Sequence, residues 1–299
     1  MAKPSFQDSI VLFGDSLTQN TDAGSFSHRM NAAYSRKFDV LNRGYGGFNT
    51  AWASPLFDEI FARKEETPSS IAGSSVVRMV TLWFGTNDSV LATKAQHLSL
   101  SDFTSNLRTI LTNLTSPDSV YAVSDTPVSI ILITPAPCLP SQMGVEQRRS
   151  RTLERTSEFR DAVLRIGEEW KGREGDQAGT ETGMGMATED TTGDGSAERS
   201  GVRKRWKIQT INLWEAMVDS AGGEGDELAP YLSDGIHFTS KGYEILWNQV
   251  ERVNKTDFSG RGLDWTDQTD LPLRVPWWGH VDPSRPQSVV EGMKLPSFR

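Results

Sequence analysis

The chain has 299 residues, with 31 lysines and arginines against 39 aspartates and glutamates, so its formal net charge is −8. An acidic surface of this kind repels nucleic acids and anionic membranes, and neither is expected as a partner. The single cysteine, Cys138, excludes a disulfide within the chain, and no apolar run reaches the roughly 20 residues of a membrane span. The N-terminus lacks the apolar stretch of a secretory signal, so a cytoplasmic protein is expected.

Short apolar runs rich in Val, Ile and Leu, typical of buried strands, alternate with longer segments that carry apolar residues at helical spacing. The predicted strands are 9–13, 39–42, 76–84, 128–134 and 207–212. The predicted helices are 25–38, 51–63, 101–114, 145–170 and 240–253. Ser101 and Asp102 are expected to cap the third of these helices. The alternation predicts an α/β fold with three α/β/α layers around a mostly parallel five-stranded sheet.

Two segments depart from this alternation. Residues 171–202 are rich in Gly, Thr, Glu and Asp, and they carry too little apolar surface to offset the entropy lost on ordering. They are predicted to form a disordered surface insertion in a domain of residues 1–256. Residues 257–299 hold Trp265, Trp277 and Trp278 without helical periodicity. Because buried tryptophan usually serves packing, this tail is expected to lie across the domain, with a lid or a homodimer contact as the alternative.

The stretch VLFGDSLTQN, residues 11–20, places Ser16 directly after the first predicted strand. Ligands of parallel α/β sheets bind beyond the carboxyl ends of the strands, which is where a catalytic serine belongs. A serine at that position is also a common helix N-cap, and position alone does not separate the two interpretations. A nucleophilic serine further requires a base, a group that orients the base, and donors for an oxyanion.

His237 is the strongest candidate base among the four histidines. In YLSDGIHFTSKGYEIL, Asp234 stands three residues before it, in a glycine-containing turn ahead of the last predicted helix. Aspartate at this spacing can hold one imidazole nitrogen while the other faces the serine, although Asp-x-x-His alone is a weak pattern. His28, His97 and His280 are expected to be surface or tail residues.

Candidate oxyanion donors follow the second and third predicted strands. NRGYGGFNT contains Gly46 and Gly47, whose bare backbones allow close approach to a substrate. LWFGTNDSV supplies Asn87, whose side-chain amide is a donor, although a turn residue is the alternative interpretation. The neighbouring Asp15 and Asp88 are expected to brace their loops through backbone hydrogen bonds rather than to act in catalysis. A serine, a base with its orienting acid and oxyanion donors together indicate a nucleophilic serine far more specifically than any one of these groups does.

Together these stretches resemble the SGNH, or GDSL-type, esterase/lipase superfamily. FGDSLTQ is similar to its first block, NRGYGGFNT to the second, GTND to the third and DGIHFTSKGY to the last. The blocks occur in the family's order over about residues 10–253. The stretches NRGYGGFNTAWA and LSDGIHFTSKGYEIL look most similar to the isoamyl acetate-hydrolysing esterases of that superfamily.

The resemblance implies a flavodoxin-like fold and hydrolysis of short-chain acyl esters through an acyl-enzyme, without a metal or an organic cofactor. The site residues that it implies are Ser16, Asp234 and His237 as a catalytic triad, and Ser16, Gly47 and Asn87 as oxyanion donors. If the register is off by one residue, Gly46 replaces Gly47.

Other functions remain open at this point. Within the superfamily they are a carbohydrate acetylesterase, a longer-chain lipase or a thioesterase. Outside it, an inactive α/β binding scaffold and a nucleotide-binding module are the alternatives. Against nucleotide binding, GYGGFN does not complete G-x-G-x-x-G, because Asn49 stands at the last glycine position, and G-x-x-x-x-G-K-[ST] is absent. H-E-x-x-H, paired cysteines and G-x-S-x-G are absent too, which disfavours a metalloenzyme and an α/β-hydrolase.

Overall fold

The computed structural model describes residues 7–66, 75–176 and 206–293. Within these ranges one sheet is built from β1 (Ser9–Gly14), β2 (Asp39–Gly44), β3 (Val77–Trp83), β4 (Ser129–Ile133) and β5 (Lys207–Ile211). The strand order is β2-β1-β3-β4-β5, and each neighbouring pair is parallel. This is the flavodoxin-like order of a doubly wound sheet. The predicted α/β fold is confirmed, and each predicted strand overlaps an observed one.

Helices and short turns connect the strands. The described α-helices are α1 (Ser16–Gln19), α2 (Phe26–Ala33), α3 (Thr50–Ala53), α4 (Phe57–Ile60), α5 (Leu100–Thr115), α6 (Val145–Arg148), α7 (Leu153–Asp176), α8 (Leu213–Ala221), α9 (Ser240–Lys255) and α10 (Ser288–Glu291). Turns of 3-10 helix occur at Ser54–Leu56, Lys64–Glu66, Ala122–Asp125, Asp226–Leu228 and Trp278–His280. No helix in the described ranges is long and apolar enough to cross a membrane.

The two faces of the sheet carry separate apolar cores. Ile10 and Leu12 of β1 pack with the core under α2, α8 and α9, whereas Val11 and Phe13 pack with the core under α5 and α7. All four side chains are buried. A central strand that is apolar on both faces is typical of a parallel sheet covered by helices on each side. The predicted three-layer arrangement is therefore observed.

Several helix boundaries differ from those predicted. Residues 51–63 form two single turns around Ser54–Leu56, because Pro55 has no N–H group to continue a helix. Residues 145–170 likewise divide into α6 and α7, and 25–38 ends early at Ala33. The N-cap of α5 is Ser99, whose hydroxyl accepts from the Asp102 N–H at 3.0 Å, so the predicted cap at Ser101 is wrong. The short helix α8 had no predicted counterpart.

Both unusual segments are described only in part. α7 continues to Asp176, so the beginning of the predicted insertion 171–202 is helical, whereas residues 177–205 lie outside the described residues. Beyond α9, residues 257–271 lie against the amino end of the sheet, and we call this segment the strap. Its Phe258 and Leu263 are buried. The strap is therefore part of the packed structure.

The tryptophans of the tail behave differently from one another. Trp265, in the strap, is partly buried, with its ring centroid 4.8 Å from that of Trp247. Trp277 and Trp278 are 48% and 76% exposed, so the expectation that tail tryptophans are buried is wrong for these two. A lid or homodimer contact through them stays a prediction.

Candidate active site

Ser16 is the first residue of α1 and lies at the carboxyl end of β1. The N-cap of this helix is Asp15, whose Oδ1 accepts from the Leu17 N–H at 2.9 Å, so Ser16 itself is not the cap. Gly14, two residues before the serine, must be small, since a Cβ there would lie 2.1 Å from Thr18 Oγ1 and 2.6 Å from the Trp83 carbonyl oxygen. The glycine thus lets the chain turn tightly against β3 and present the serine hydroxyl at the edge of the sheet.

The structure brings the predicted base and its orienting acid to this hydroxyl. Ser16 Oγ lies 2.9 Å from His237 Nε2, and His237 Nδ1 lies 2.8 Å from Asp234 Oδ2. Because the Nδ1 atom faces a carboxylate, it holds the ring proton, which leaves the Nε2 lone pair to accept from the serine. The three residues stand in the order that serine hydrolysis requires.

The carboxylate of Asp234 is held by its own turn. Its Oδ1 accepts from the N–H groups of Ile236 at 2.9 Å and His237 at 2.8 Å. Partial burial alone would raise the pKa of Asp234, but hydrogen bonds from the His237 and Ile236 backbones and the His237 ring hold it below its ordinary value. Asp234 is therefore an anion where an imidazolium would form.

Packing behind the turn fixes the histidine relative to the serine. The buried indole of Trp83, at the end of β3, lies 5.5 Å from the ring of Phe238, which follows the histidine. Tyr243 of α9 donates its hydroxyl proton to the Leu17 carbonyl oxygen at 2.9 Å. These contacts join the last turn of the domain to the first helix, so two distant parts of the chain form one site.

Besides that of Ser16, the predicted N–H donors lie in the loop after β2 and in the turn after β3. Asn87 Nδ2 donates to the Phe48 carbonyl oxygen at 3.0 Å, which places the amide against the glycine loop after β2. In that loop the Gly46 N–H already donates to Gln19 Oε1 at 2.5 Å. Gly47, with φ +80°, adopts a conformation that side-chain-bearing residues rarely reach. Within the described ranges, no hydrogen bond uses the backbone N–H of Ser16 or Gly47.

Two buried acids brace these loops, as predicted. Asp88 accepts from the Thr50 N–H at 2.8 Å, from its hydroxyl at 2.6 Å and from the Gly85 N–H at 3.2 Å. Burial raises the pKa of Asp88 to about 6, although the Thr50 hydrogen bonds oppose the shift. Burial likewise raises the pKa of Asp15 to about 7, against the Leu17 N–H, and its Oδ2 has no hydrogen-bond partner in the described part of the chain.

The remaining histidines lie away from the serine. His28 and His280 are exposed, and the Nδ1 atom of His97 is 2.6 Å from the Val90 carbonyl oxygen. Their predicted assignment to the surface or tail is correct for His28 and His280, whereas His97 is half-buried in the loop that follows Asn87.

One contact of the site was missed in the sequence. Arg151, between α6 and α7, donates from Nη2 to Asn87 Oδ1 at 3.3 Å and from Nη1 to the Thr86 carbonyl oxygen. It lies inside the predicted helix 145–170. In such a helix, the sequence does not distinguish an arginine that contacts the site from one that is exposed to solvent. Arg151 also lines a small pocket of about 10 Å³ beside the serine, with Leu17, Thr86, Ala136, Pro137, Cys138, Thr156 and Ile236.

Comparison with known proteins is in line with this geometry. The family model described as GDSL-like Lipase/Acylhydrolase matches residues 10–250. The chain belongs to this family. It is accordingly an ester hydrolase, and the resemblance inferred from its four blocks is confirmed.

Two relatives of this GDSL hydrolase cover nearly its whole length. A GDSL esterase/lipase of Arabidopsis thaliana is 29% identical over 286 residues, which are 94% of this chain and 97% of the relative. The isoamyl acetate-hydrolyzing esterase 1 homolog of Homo sapiens is 26% identical over 293 residues, 95% of this chain and 92% of the relative. The crystal structure of a lipase/acylhydrolase from Enterococcus faecalis shares the fold, with a TM-score of 0.51, 22% identity, and coverage of 84% of this chain and 97% of that one.

Proposed function

We propose that this GDSL hydrolase cleaves short-chain, acetate-type acyl esters, with Ser16 as nucleophile, His237 as general base and Asp234 as the residue that orients it. The observation that carries the proposal is the continuous pair of contacts from Ser16 Oγ to His237 and from His237 to Asp234, at 2.9 and 2.8 Å. Each is within the distance at which a proton transfers along a hydrogen bond.

In the acylation step, His237 Nε2 takes the hydroxyl proton while Ser16 Oγ attacks the ester carbonyl carbon. Asp234 keeps the ring in the tautomer with a proton on Nδ1 and stabilises the imidazolium that results. The imidazolium then protonates the leaving alcohol as the carbon–oxygen bond breaks. A water molecule, deprotonated by the same histidine, then attacks the acyl carbon. The histidine returns this proton to Ser16 Oγ as the acyl–serine bond breaks, which releases the carboxylic acid.

The tetrahedral intermediate carries an oxyanion, and we assign its stabilisation to the N–H groups of Ser16, Gly47 and Asn87. Donors that remain without an acceptor in the described ranges suit this role, because they need not break an existing bond as charge develops. The Gly46 N–H is already bound to Gln19, which supports Gly47 over its neighbour as the backbone donor.

Comparison supports a short acyl group. The human relative, 26% identical over 293 residues, carries the name of an isoamyl acetate-hydrolyzing esterase homolog.

The test is hydrolysis of p-nitrophenyl acetate, butyrate, octanoate and palmitate by the wild type and by Ser16→Ala. We expect turnover to fall with chain length and to disappear in Ser16→Ala. Ser105→Ala, on the outer face of α5, serves as a matched control with unchanged turnover. Equal or rising turnover on the longer esters would favour a longer-chain lipase, and turnover that survives Ser16→Ala would overturn the triad.

A further inference from the structure

We infer that Arg151 is a positioning residue of the oxyanion hole: it fixes the orientation of the Asn87 side-chain amide, so that an Nδ2–H bond faces the reaction centre. The inference rests on the proposed function, since it concerns how one of the proposed donors is held. Arg151 belongs to none of the four sequence blocks that identify the family here. It reaches the site from the gap between α6 and α7.

The chemistry of the two neighbours leaves the Asn87 amide only one orientation. The Phe48 carbonyl oxygen can only accept, and it lies 3.0 Å from Nδ2. The guanidinium of Arg151 can only donate, and its Nη2 lies 3.3 Å from Oδ1. A half-turn of the amide would set two oxygens against each other on one side and two N–H donors on the other. Both contacts therefore select the same rotamer.

This rotamer decides what the substrate meets. An amide nitrogen has two N–H bonds, and Phe48 occupies one of them. The other has no acceptor within the described residues and is available to an oxyanion. In the reversed orientation, Asn87 would present its carbonyl oxygen, which repels negative charge. Because that charge exists only in the transition state, loss of the orientation should lower kcat with little effect on KM.

Arg151 is well suited to hold the amide rigidly. Its Nη1 atom donates to the carbonyl oxygen of Thr86, one residue before Asn87. The guanidinium is therefore hydrogen-bonded to both the backbone and a side chain of the same turn. A planar fork of this kind is pre-organised and loses less freedom per hydrogen bond than a lysine does.

The test is a double-mutant cycle on p-nitrophenyl acetate with Arg151→Met, Asn87→Ala and the combined variant. Asn87→Ala should lower kcat by about 10²–10³-fold, as removal of an oxyanion donor does. Arg151→Met should lower kcat by about 10- to 100-fold in the wild-type background, with KM within about threefold. In the Asn87→Ala background the same change should cost less than about threefold, because no amide remains to be oriented.

The outcomes separate the inference from the function on which it rests. If Asn87→Ala has its full effect and Arg151→Met costs the same in both backgrounds, Arg151 does not act through Asn87, and the inference is overturned while the proposed function stands. If Asn87→Ala costs less than about tenfold, Asn87 is not an oxyanion donor, and both proposals about it fail.

Two further variants test whether the loss of a positive charge, rather than the loss of orientation, explains the lower kcat. Arg151→Lys keeps the charge without the fork, and we expect it to recover part of the lost kcat, which also tests the inference if Arg151→Met does not fold. Arg149→Met, an exposed arginine two residues away, is the matched control and should leave kcat unchanged. Recovery to the wild-type kcat by lysine would show that charge alone, rather than orientation, accounts for the effect.

Discussion

The two edges of the sheet use polar residues in opposite ways. At the carboxyl edge, His237 and Asp234 remain about 40% exposed, and the backbone N–H groups of Ser16 and Gly47 make no hydrogen bond in the described ranges. At the amino edge, Arg78 and Asp8 are almost fully buried and 3.3 Å apart, and Arg78 also donates to the Arg261 carbonyl oxygen at 3.0 Å. One edge keeps hydrogen-bonding capacity available, whereas the other uses it within the protein.

The strap explains the difference. Arg261 donates to Ser129 Oγ at 2.7 Å and to the carbonyl oxygens of Pro127 at 2.6 Å and Val128 at 3.1 Å, all at the start of β4. Unpaired backbone groups at a strand end would otherwise face water or be buried at a cost. The strap therefore closes the amino edge, and substrates are left with the carboxyl edge. Changes at the two edges should accordingly separate activity from stability.

The largest expected effect comes from His237→Ala. Without the base, kcat on p-nitrophenyl acetate should fall by about 10⁴–10⁶-fold, as loss of a triad member does in other serine hydrolases. The free energy of unfolding in urea should stay near that of the wild type, because about 40% of the side chain is exposed to solvent. A variant that keeps its activity, or one that unfolds, would contradict this separation.

The buried acid of the carboxyl edge, Asp15, should lower stability as pH rises. Its pKa of about 7 lies above the ordinary value of 3.8, so the folded state holds a proton that the unfolded chain releases. Between about pH 4 and pH 7 the free energy of unfolding should therefore fall with rising pH, by up to about 4 kcal/mol from this group. Asp88, with a pKa of about 6, acts in the same direction.

Asp15→Asn removes this titration while retaining an oxygen that can accept from the Leu17 N–H. We expect its free energy of unfolding, measured in urea from pH 4 to pH 7, to vary less than that of the wild type. Parallel pH profiles of the two proteins would show that Asp15 is not a source of the dependence.

Arg261→Met tests the amino edge. The change removes hydrogen bonds from a buried charged group to three oxygens, and it should lower the free energy of unfolding by about 2–4 kcal/mol. The kcat on p-nitrophenyl acetate should not change, because the strap lies at the opposite edge of the sheet. Arg108→Met, in an exposed pair with Glu169, is the control and should cost less than about 1 kcal/mol.

The smallest effect is expected from ending the chain after residue 271. This truncation keeps the strap and removes the exposed Trp277 and Trp278, so the free energy of unfolding should change by less than about 1 kcal/mol. Sedimentation velocity of the full-length and truncated proteins also tests the predicted homodimer contact. A dimer that becomes a monomer supports it, and identical sedimentation behaviour contradicts it.

Most of the fold could be predicted because its strands are rich in Val, Ile and Leu, and because the strands alternate with amphipathic helices. The predicted helices failed where local chemistry interrupted the apolar spacing. Pro55 breaks the segment 51–63, and the observed N-cap of α5, Ser99, lies two residues before the predicted cap. The helix α8 has no predicted counterpart because its nine residues follow β5 after only Asn212, a residue that the predicted strand 207–212 contains.

The candidate site residues could be predicted from the sequence, whereas the residues that hold them in place could not. Ser16, Asn87, Asp234 and His237 lie in short sequence blocks, and the structure brings them to one edge of the sheet. Arg151 could not be found in this way, because its role depends on a contact across 64 positions of the chain. The amino-edge contacts of the strap are invisible for the same reason, since their partners lie far away in sequence.

The hydrogen bond between Ser16 and His237 joins residues 221 positions apart. Contacts of such long range close late in folding, because a large loop must lose its freedom before the contact stabilises it. During synthesis, the proposed nucleophile leaves the ribosome long before the proposed base, so a partly made chain lacks one of the two. Esterase activity in a refolding experiment therefore reports that the first strand and the turn before α9 have come together.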